Sequence, residues 1–316
     1  MNTNRVIATA TLCILLNCSA GAQAMNEKER LASLVRMIRT EKAKMYESEG
    51  IRAQGTRVVS QVTTYDAEGR KTEQLNYTDE GLPVFRNAFA YDNSGELIEK
   101  SEYRADGSLV RRYVYTRDKT KRKVEQLVYN ADGVLSAKSI DLFDEKGRVT
   151  ESLDYEADGS LQLKDIFFYD GKDRVNEVIS CAYKPDASIV SAIKNDHGEI
   201  TTIDRGKIAM KDTICGEGFL ISRDVYAYNN QGNSVERLSY TGDRSLISRE
   251  VIVDDAHERT IEVLIYNPHG ALRSRIIYVR EYDMRGNWIK EIKSKWNFKV
   301  SKFEPEEITY RTITYY

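Results

Sequence analysis

Few residues in this chain have the types and spacings that chemistry needs. The 316 residues include three histidines, His197, His257 and His269, and four cysteines. A zinc centre wants Cys and His at short regular spacings, and no such run occurs. Hydrolysis needs a nucleophile and an acid arranged about a histidine, yet each histidine stands in or beside a turn-like stretch and reads as solvated. The G-x-S-x-G, H-E-x-x-H and P-loop spacings are absent. Turn carboxylates such as Asp66, Asp92 and Asp283 come singly or in pairs, too sparse for the oxygen-rich shell of calcium. The expectation is a non-enzymatic protein with no cofactor and no metal.

Compartment is read from the N-terminus. Arg5 is the only charge in the first 24 residues, Val6 to Leu16 is an apolar run, and Ala22-Gln23-Ala24 ends it. This is a secretory leader pattern with cleavage between Ala24 and Met25. Leu15-Leu16-Asn17-Cys18 resembles a lipobox, but Asn17 is large for the place before a lipidated Cys18, so the lipoprotein route is disfavoured. The expected location is the periplasm or the cell surface. Cleavage removes Cys13 and Cys18 and leaves Cys181 and Cys215. In an oxidising compartment these two most simply pair, with two free buried thiols as the alternative. No later apolar run reaches helix-spanning length, so no transmembrane segment is expected in the mature chain.

The charges balance, 47 basic against 49 acidic, which argues against a nucleic-acid partner. The basic run Arg117 to Lys123 reads as a solvated loop. Twenty tyrosines and only four prolines point to strands.

Residues 25–56 read as a short helix and linker, with Leu31, Leu34, Val35 and Ile38 on one face. Residues 57–198 carry a repeat: an aromatic, a polar turn, then glycine. Tyr65-Asp66 to Gly69, Tyr91-Asp92 to Gly95 and Tyr282-Asp283 to Gly286 are clear copies. A second form at Tyr77, Tyr103, Tyr129 and Tyr155 recurs every 26 residues. Asp accepts hydrogen bonds from the turn backbone, and Gly takes the left-handed position, so each unit joins two antiparallel strands. Because the motif aromatics up to Tyr183 are all odd-numbered, odd residues are expected on one apolar face. Residues 199–225 form an irregular insert, and 226–316 hold a second block of repeats in the same domain.

The tandem Tyr-Asp-x-x-Gly unit resembles the YD or RHS repeats of bacteria over roughly residues 57–295. The resemblance implies an all-β fold: a long antiparallel meander of hairpin repeats, curled or wrapped, here with a short N-terminal α-helix. In large members such sheets enclose toxins or act at cell surfaces, whereas this chain is too short to enclose a cargo domain. The expected function is an exported binding or scaffold module whose partner is a protein or glycan of the envelope. Alternatives are carbohydrate binding on a tyrosine-lined sheet, a hydrolase site within 199–223, and an immunity or chaperone partner of a larger RHS-type protein. A lipid-facing barrel is disfavoured. The apolar face carries Glu73, Glu99, Arg111, Glu125, Glu151 and Glu177 near mid-strand, a burden on the order of 10 kcal/mol in lipid.

Overall fold

The computed structural model describes residues 34–48, 51–183, 191–194, 200–203, 210–211, 213–230, 234–255 and 259–316. The leader 1–24, Ala24 and Met25, Cys13, Cys18, His197 and His257 lie outside them.

The chain begins with β1 (Val35–Ser48), β2 (Ile51–Gln54), β3 (Val58–Tyr65), β4 (Lys71–Tyr77), β5 (Pro83–Tyr91) and β6 (Leu97–Arg104). It continues through β7 (Leu109–Asp118), β8 (Lys123–Asn130), β9 (Leu135–Phe143), β10 (Val149–Glu156), β11 (Leu161–Tyr169) and β12 (Val175–Ala182). The insert contains β13 (Ser191–Lys194), β14 (Ile200–Ile203), β15 (Met210–Lys211) and a 3-10 turn at Thr213–Cys215. Then follow β16 (Phe219–Tyr228), β17 (Ser234–Thr241), β18 (Leu246–Asp254), β19 (Thr260–Tyr266), β20 (Leu272–Tyr282), β21 (Trp288–Asn297) and β22 (Lys302–Tyr315).

Strands β3 to β12 pair in succession, β12 pairs with β16, and β16 to β22 again pair in succession. The ring closes at β1, which pairs antiparallel with β22 on one side and β3 on the other. The result is a closed antiparallel barrel of 18 strands. Closure pairs both edges of every strand in the ring, removing the open barrel edge that could template aggregation.

Three expectations are corrected here. The open, curled meander of YD/RHS repeats is replaced by a closed cylinder, so the resemblance described local turn chemistry and not architecture. The N-terminal helix is also wrong where it can be seen. Residues 35–48 of the span form β1, and its Val35 and Ile38 are buried at 2% and 4% exposure. Pairing on both sides of β1 outweighs the helical spacing of a narrow apolar stripe. Finally, odd residues do not share a face. Most hairpins carry a one-residue bulge at the turn, as between Thr64 and Tyr65, although β7–β8 has none, and cross-strand partners such as Thr64 and Glu73 or Ala88 and Ser101 differ in parity. Turn length and bulges together set the register, and the inward face switches between odd and even across most neighbouring strands, though not between β12 and β16.

The repeat turns are built from their own side chains. The Asp66 carbonyl accepts from Gly69 N, and its Oδ1 accepts from Glu68 N and Arg70 N at 3.1 and 2.8 Å. Gly69 has φ +78°, which glycine adopts without Cβ strain. At other turns a side-chain residue holds that place, as Ser301 does at φ 50°. A Cβ on Gly147, at φ +79°, meets nothing within 4 Å, so the cost of Gly147→Ala is conformational alone. It is expected to lower stability by about 1 kcal/mol, and Ser301→Gly to raise it by a similar amount. Urea midpoints at unchanged slope check both.

Candidate functional site

The ladder partners sort the side chains into an inner and an outer wall. Following them round the ring from Asp141 gives Ser152, Asp165, Ser180, Ser222 and Thr241 on one face. Asp141, Ser152 and Thr241 are only 4%, 5% and 9% exposed, and this face points into the barrel. The opposite face carries the most open strand positions, among them Arg112, Thr116, Arg223, Arg249 and Val279, and points outward. Inward positions elsewhere hold Thr63, Gln74, Asn76, Asn87 and Gln126 beside the apolar Phe89, Val124, Val128 and Ile276, so polar rows alternate with apolar patches on the inner wall. An 18-strand ring is in the size range that leaves an aqueous channel instead of a core filled by side chains.

The outer wall explains the 26-residue repeat. Glu73, Glu99, Glu151 and Glu177 pair across the ladder with Arg86, Arg112, Lys164 and Arg223, at 3.1, 3.8, 2.8 and 2.6 Å. Glu236–Arg249 and Glu262–Arg275 continue the belt. The next aromatic lies beneath the cation: Arg86 over Tyr103 at 4.3 Å, Arg112 over Tyr129 at 5.2 Å and Lys138 over Tyr155 at 4.5 Å. In lipid a lone basic side chain at mid-depth costs about 2–4 kcal/mol, whereas each of these pairs holds its opposite charge on the neighbouring strand. Of the charges assigned to a single face by sequence, the glutamates point outward and Arg111, opposite Asn130 and Glu102, points inward.

The predicted turn residues gather at one rim. Asp66 and Arg70 pair at 2.7 Å, and Arg70 stacks over Tyr91 at 5.2 Å. Asp170–Arg174 with Tyr228, and Asp255–Arg259 with Tyr282, repeat the arrangement. The Tyr91 hydroxyl donates to Lys71 O at 2.8 Å. Asp92 holds the backbone of Ser94 and Glu96, and Gly95 takes φ +82°. Asp283 accepts from Arg285 N, Asn287 N and the Tyr315 hydroxyl, and Gly286 also has φ +82°. These residues are therefore turn and wall fasteners. The exposed His269 lies in the turn after Tyr266, with its backbone N–H donating to Asn267. The tyrosine-lined open face that glycan binding required does not exist. The scaffold and chaperone readings rested on the YD/RHS resemblance and fall with it, as does the envelope protein or glycan named as partner. The hydrolase alternative drew on 199–223, much of which lies outside the described residues, and is not carried forward.

The rim carboxylates are poised low. The Arg174 side chain, then its backbone N–H, holds the Asp170 carboxyl down at about 2. The Thr120 hydroxyl, then the Lys121 N–H, does the same for Asp118, also to about 2. A carboxyl depressed on folding stabilises above its unfolded pKa of roughly 3.9, and that contribution disappears as pH falls through the folded value. Wild-type protein is thus expected to exceed Asp170→Asn in urea midpoint at pH 7. The gap should close between about pH 4 and pH 2; a gap unchanged at pH 2 contradicts this.

Asp165 on β11 points inward, where it accepts a hydrogen bond from Ser180. Among the described residues no group of three or more His, Cys, Asp or Glu converges to hold a metal ion.

At the end of β12, Cys181 and Cys215 are bonded, with S–S 2.04 Å. They are 0% and 1% exposed and pack with Ile179 and Leu220. The Tyr183 hydroxyl donates to Cys215 O at 2.8 Å. The bond fastens the end of the insert to the end of β12, beside the re-entry at β16.

No family model matches the chain, and no curated protein matches it. Solved structures do share features of shape. A porin-like protein from Bacteroides uniformis ATCC 8492 is 9% identical, covers 89% of this chain and 96% of its own, and has a TM-score of 0.44. A porin-like protein from Bacteroides vulgatus ATCC 8482 is 10% identical, with coverages of 90% and 99% and a TM-score of 0.21. The TcdB2-TccC3-Cdc42 structure is 12% identical over 77% of this chain and 14% of its own, with a TM-score of 0.24. At these scores they are likenesses only. The expectation of no transmembrane segment is also corrected. No helix among the described residues is long and apolar enough to cross a membrane, but barrels cross with strands, so the absence of such a helix has no bearing on this fold.

Proposed function

We propose that this is a non-enzymatic, porin-like barrel of the cell envelope whose aqueous lumen admits small polar solutes and excludes large ones. The closed ring, together with the polar rows on its inner wall, carries the reading. An exported location accords with the leader pattern and with a disulfide. The function belongs to the inner wall, since the turn residues are occupied in holding the rims.

The test is size-selective labelling. Gln126→Cys places a thiol on the inner wall, and Thr116→Cys on the outer one. A small hydrophilic maleimide is expected to label both, and a polymer-linked maleimide only Thr116→Cys. If the small reagent fails at Gln126→Cys while the protein is folded, the lumen is filled and the reading is wrong. Flotation with and without lipid vesicles then reads what surrounds the outer belt.

A further inference from the structure

One inward ladder row runs through Gln74, Asn87, Glu102, Arg111 and Asn130. On β5, β6 and β7 it sets an amide, a carboxylate and a guanidinium on three successive strands, each about 5 Å from the next. Glu102 and Arg111 are ladder neighbours of opposite charge, yet Glu102 enters no ion pair among the described residues. Arg111 has contacts of its own, and the five N–H donors of a guanidinium leave it able to take a further partner.

A second observation lies on the strand beside Glu102. Asn87 is only 8% exposed, and its Oδ1 accepts no hydrogen bond. A buried acceptor left unmet is costly. The terminal torsion of an amide side chain is broad and two-fold, so a half-turn presents Oδ1 to a donor in the lumen. Asn87 stands between Phe85 and Phe89 on the inward face of β5. Lys71 covers Phe89 at 5.6 Å, whereas Phe85 is 39% exposed and keeps an open ring. Lys100, the other inward charge on β6 near Glu102, lies over Tyr113 at 4.9 Å. The row therefore offers an unmet acceptor, a carboxylate without an ion pair, a base one strand further on and an open aromatic face.

We propose that this row binds free aromatic α-amino acids as zwitterions. The inference rests on the open-lumen reading and names the class of solute. The α-ammonium donates to the Glu102 carboxylate and to Asn87 Oδ1. The α-carboxylate accepts from the Arg111 guanidinium on the next strand. The aryl ring lies against Phe85 in the offset or edge contact that aromatic pairs prefer. Opposite charges one strand apart match a dipolar ion. A simple cation is repelled by Arg111 and Lys100, and a simple anion by Glu102.

Calorimetry on the folded barrel compares L-phenylalanine with hydrocinnamate, phenethylamine and glycine, which lack the ammonium, the carboxylate and the ring in turn. L-Phenylalanine is expected to bind about tenfold more tightly than each, or better. Glu102→Gln is expected to weaken L-phenylalanine by about tenfold while hydrocinnamate, which has no ammonium, is not weakened. A folding defect would weaken both ligands, so the split between them reads the site itself. Glu125→Gln, on the outer wall opposite Thr116 and Ile140, is expected to change neither. Equal affinity for L-phenylalanine and its one-charge analogues overturns the site, as does equal weakening of both ligands by Glu102→Gln. If Gln126→Cys labels with the small maleimide but L-phenylalanine shows no preference, this inference alone fails. If Gln126→Cys never labels, the open lumen fails, and this inference with it.

Discussion

Replacing Cys181 and Cys215 together by alanine is expected to lower the unfolding free energy by about 4 kcal/mol. The bond closes a loop of 34 residues in sequence separation. The chain-entropy model gives about that figure for such a loop, and native bonds in exported domains cost about 2–5 kcal/mol to remove. Its location adds weight. Between β12 and β16 neighbouring barrel strands are joined by the long insert instead of a tight turn. Without the bond, the closure entropy of that connection is met by strand pairing alone. Both cysteines are buried, so single replacement also strands a thiol, and the double variant isolates the bond. Chemical denaturation of oxidised wild type and the double variant measures the difference. A change below about 1 kcal/mol means that the insert is held by its other contacts, such as the Tyr183 hydroxyl on Cys215 O.

Arg39→Pro is expected to be the most damaging single change on the outer wall, at no less than about 3 kcal/mol. Arg39 sits in β1 opposite Thr312 on β22 and Val62 on β3. Proline has no N–H to donate and is confined to edges and bulges in sheets, yet β1 is flanked on both sides. A break there also opens the ring and presents two unpaired edges. The expected signature is a lower urea midpoint together with concentration-dependent association. Arg39→Thr, which keeps the N–H and loses only an exposed ion pair with Glu41, is expected to stay within about 1 kcal/mol of wild type. Ala67→Pro lies at the second place of a rim turn, where proline's fixed φ suits the turn, and is expected to be tolerated. Equal behaviour of Arg39→Pro and Ala67→Pro would show that β1 is not needed to close the barrel.

Local chemistry was legible from residues alone. Asp66, Asp92 and Asp283 with Gly69, Gly95 and Gly286 announce their turns because side-chain acceptors and a Cβ-free residue act within five positions of one another. The 26-residue period likewise marks two strands and two turns. Read with the correct faces, it becomes the outer ladder of Glu73, Glu99, Glu151 and Glu177 against Arg86, Arg112, Lys164 and Arg223. The faces themselves were misread, since the cross-strand register at the turns reverses parity between most neighbouring strands and leaves no compositional trace. The inward row of Asp141, Ser152 and Asp165 was hidden for the same reason: its members alternate in parity and meet only across the ladders.

The sequence by itself determined where the chain turns, that the segments between turns are strands, and that their neighbours in sequence pair. Those outcomes depend on contacts a few residues apart. The tertiary structure decided that β1 is a strand, that the sheet is a closed barrel, and which wall faces inward. Those depend on Val35 meeting Tyr315 and Ile38 lying between Thr63 and Ile313. Such pairing joins the two ends of the chain, and no local propensity encodes it, because its free energy arises only when the last strand finds the first.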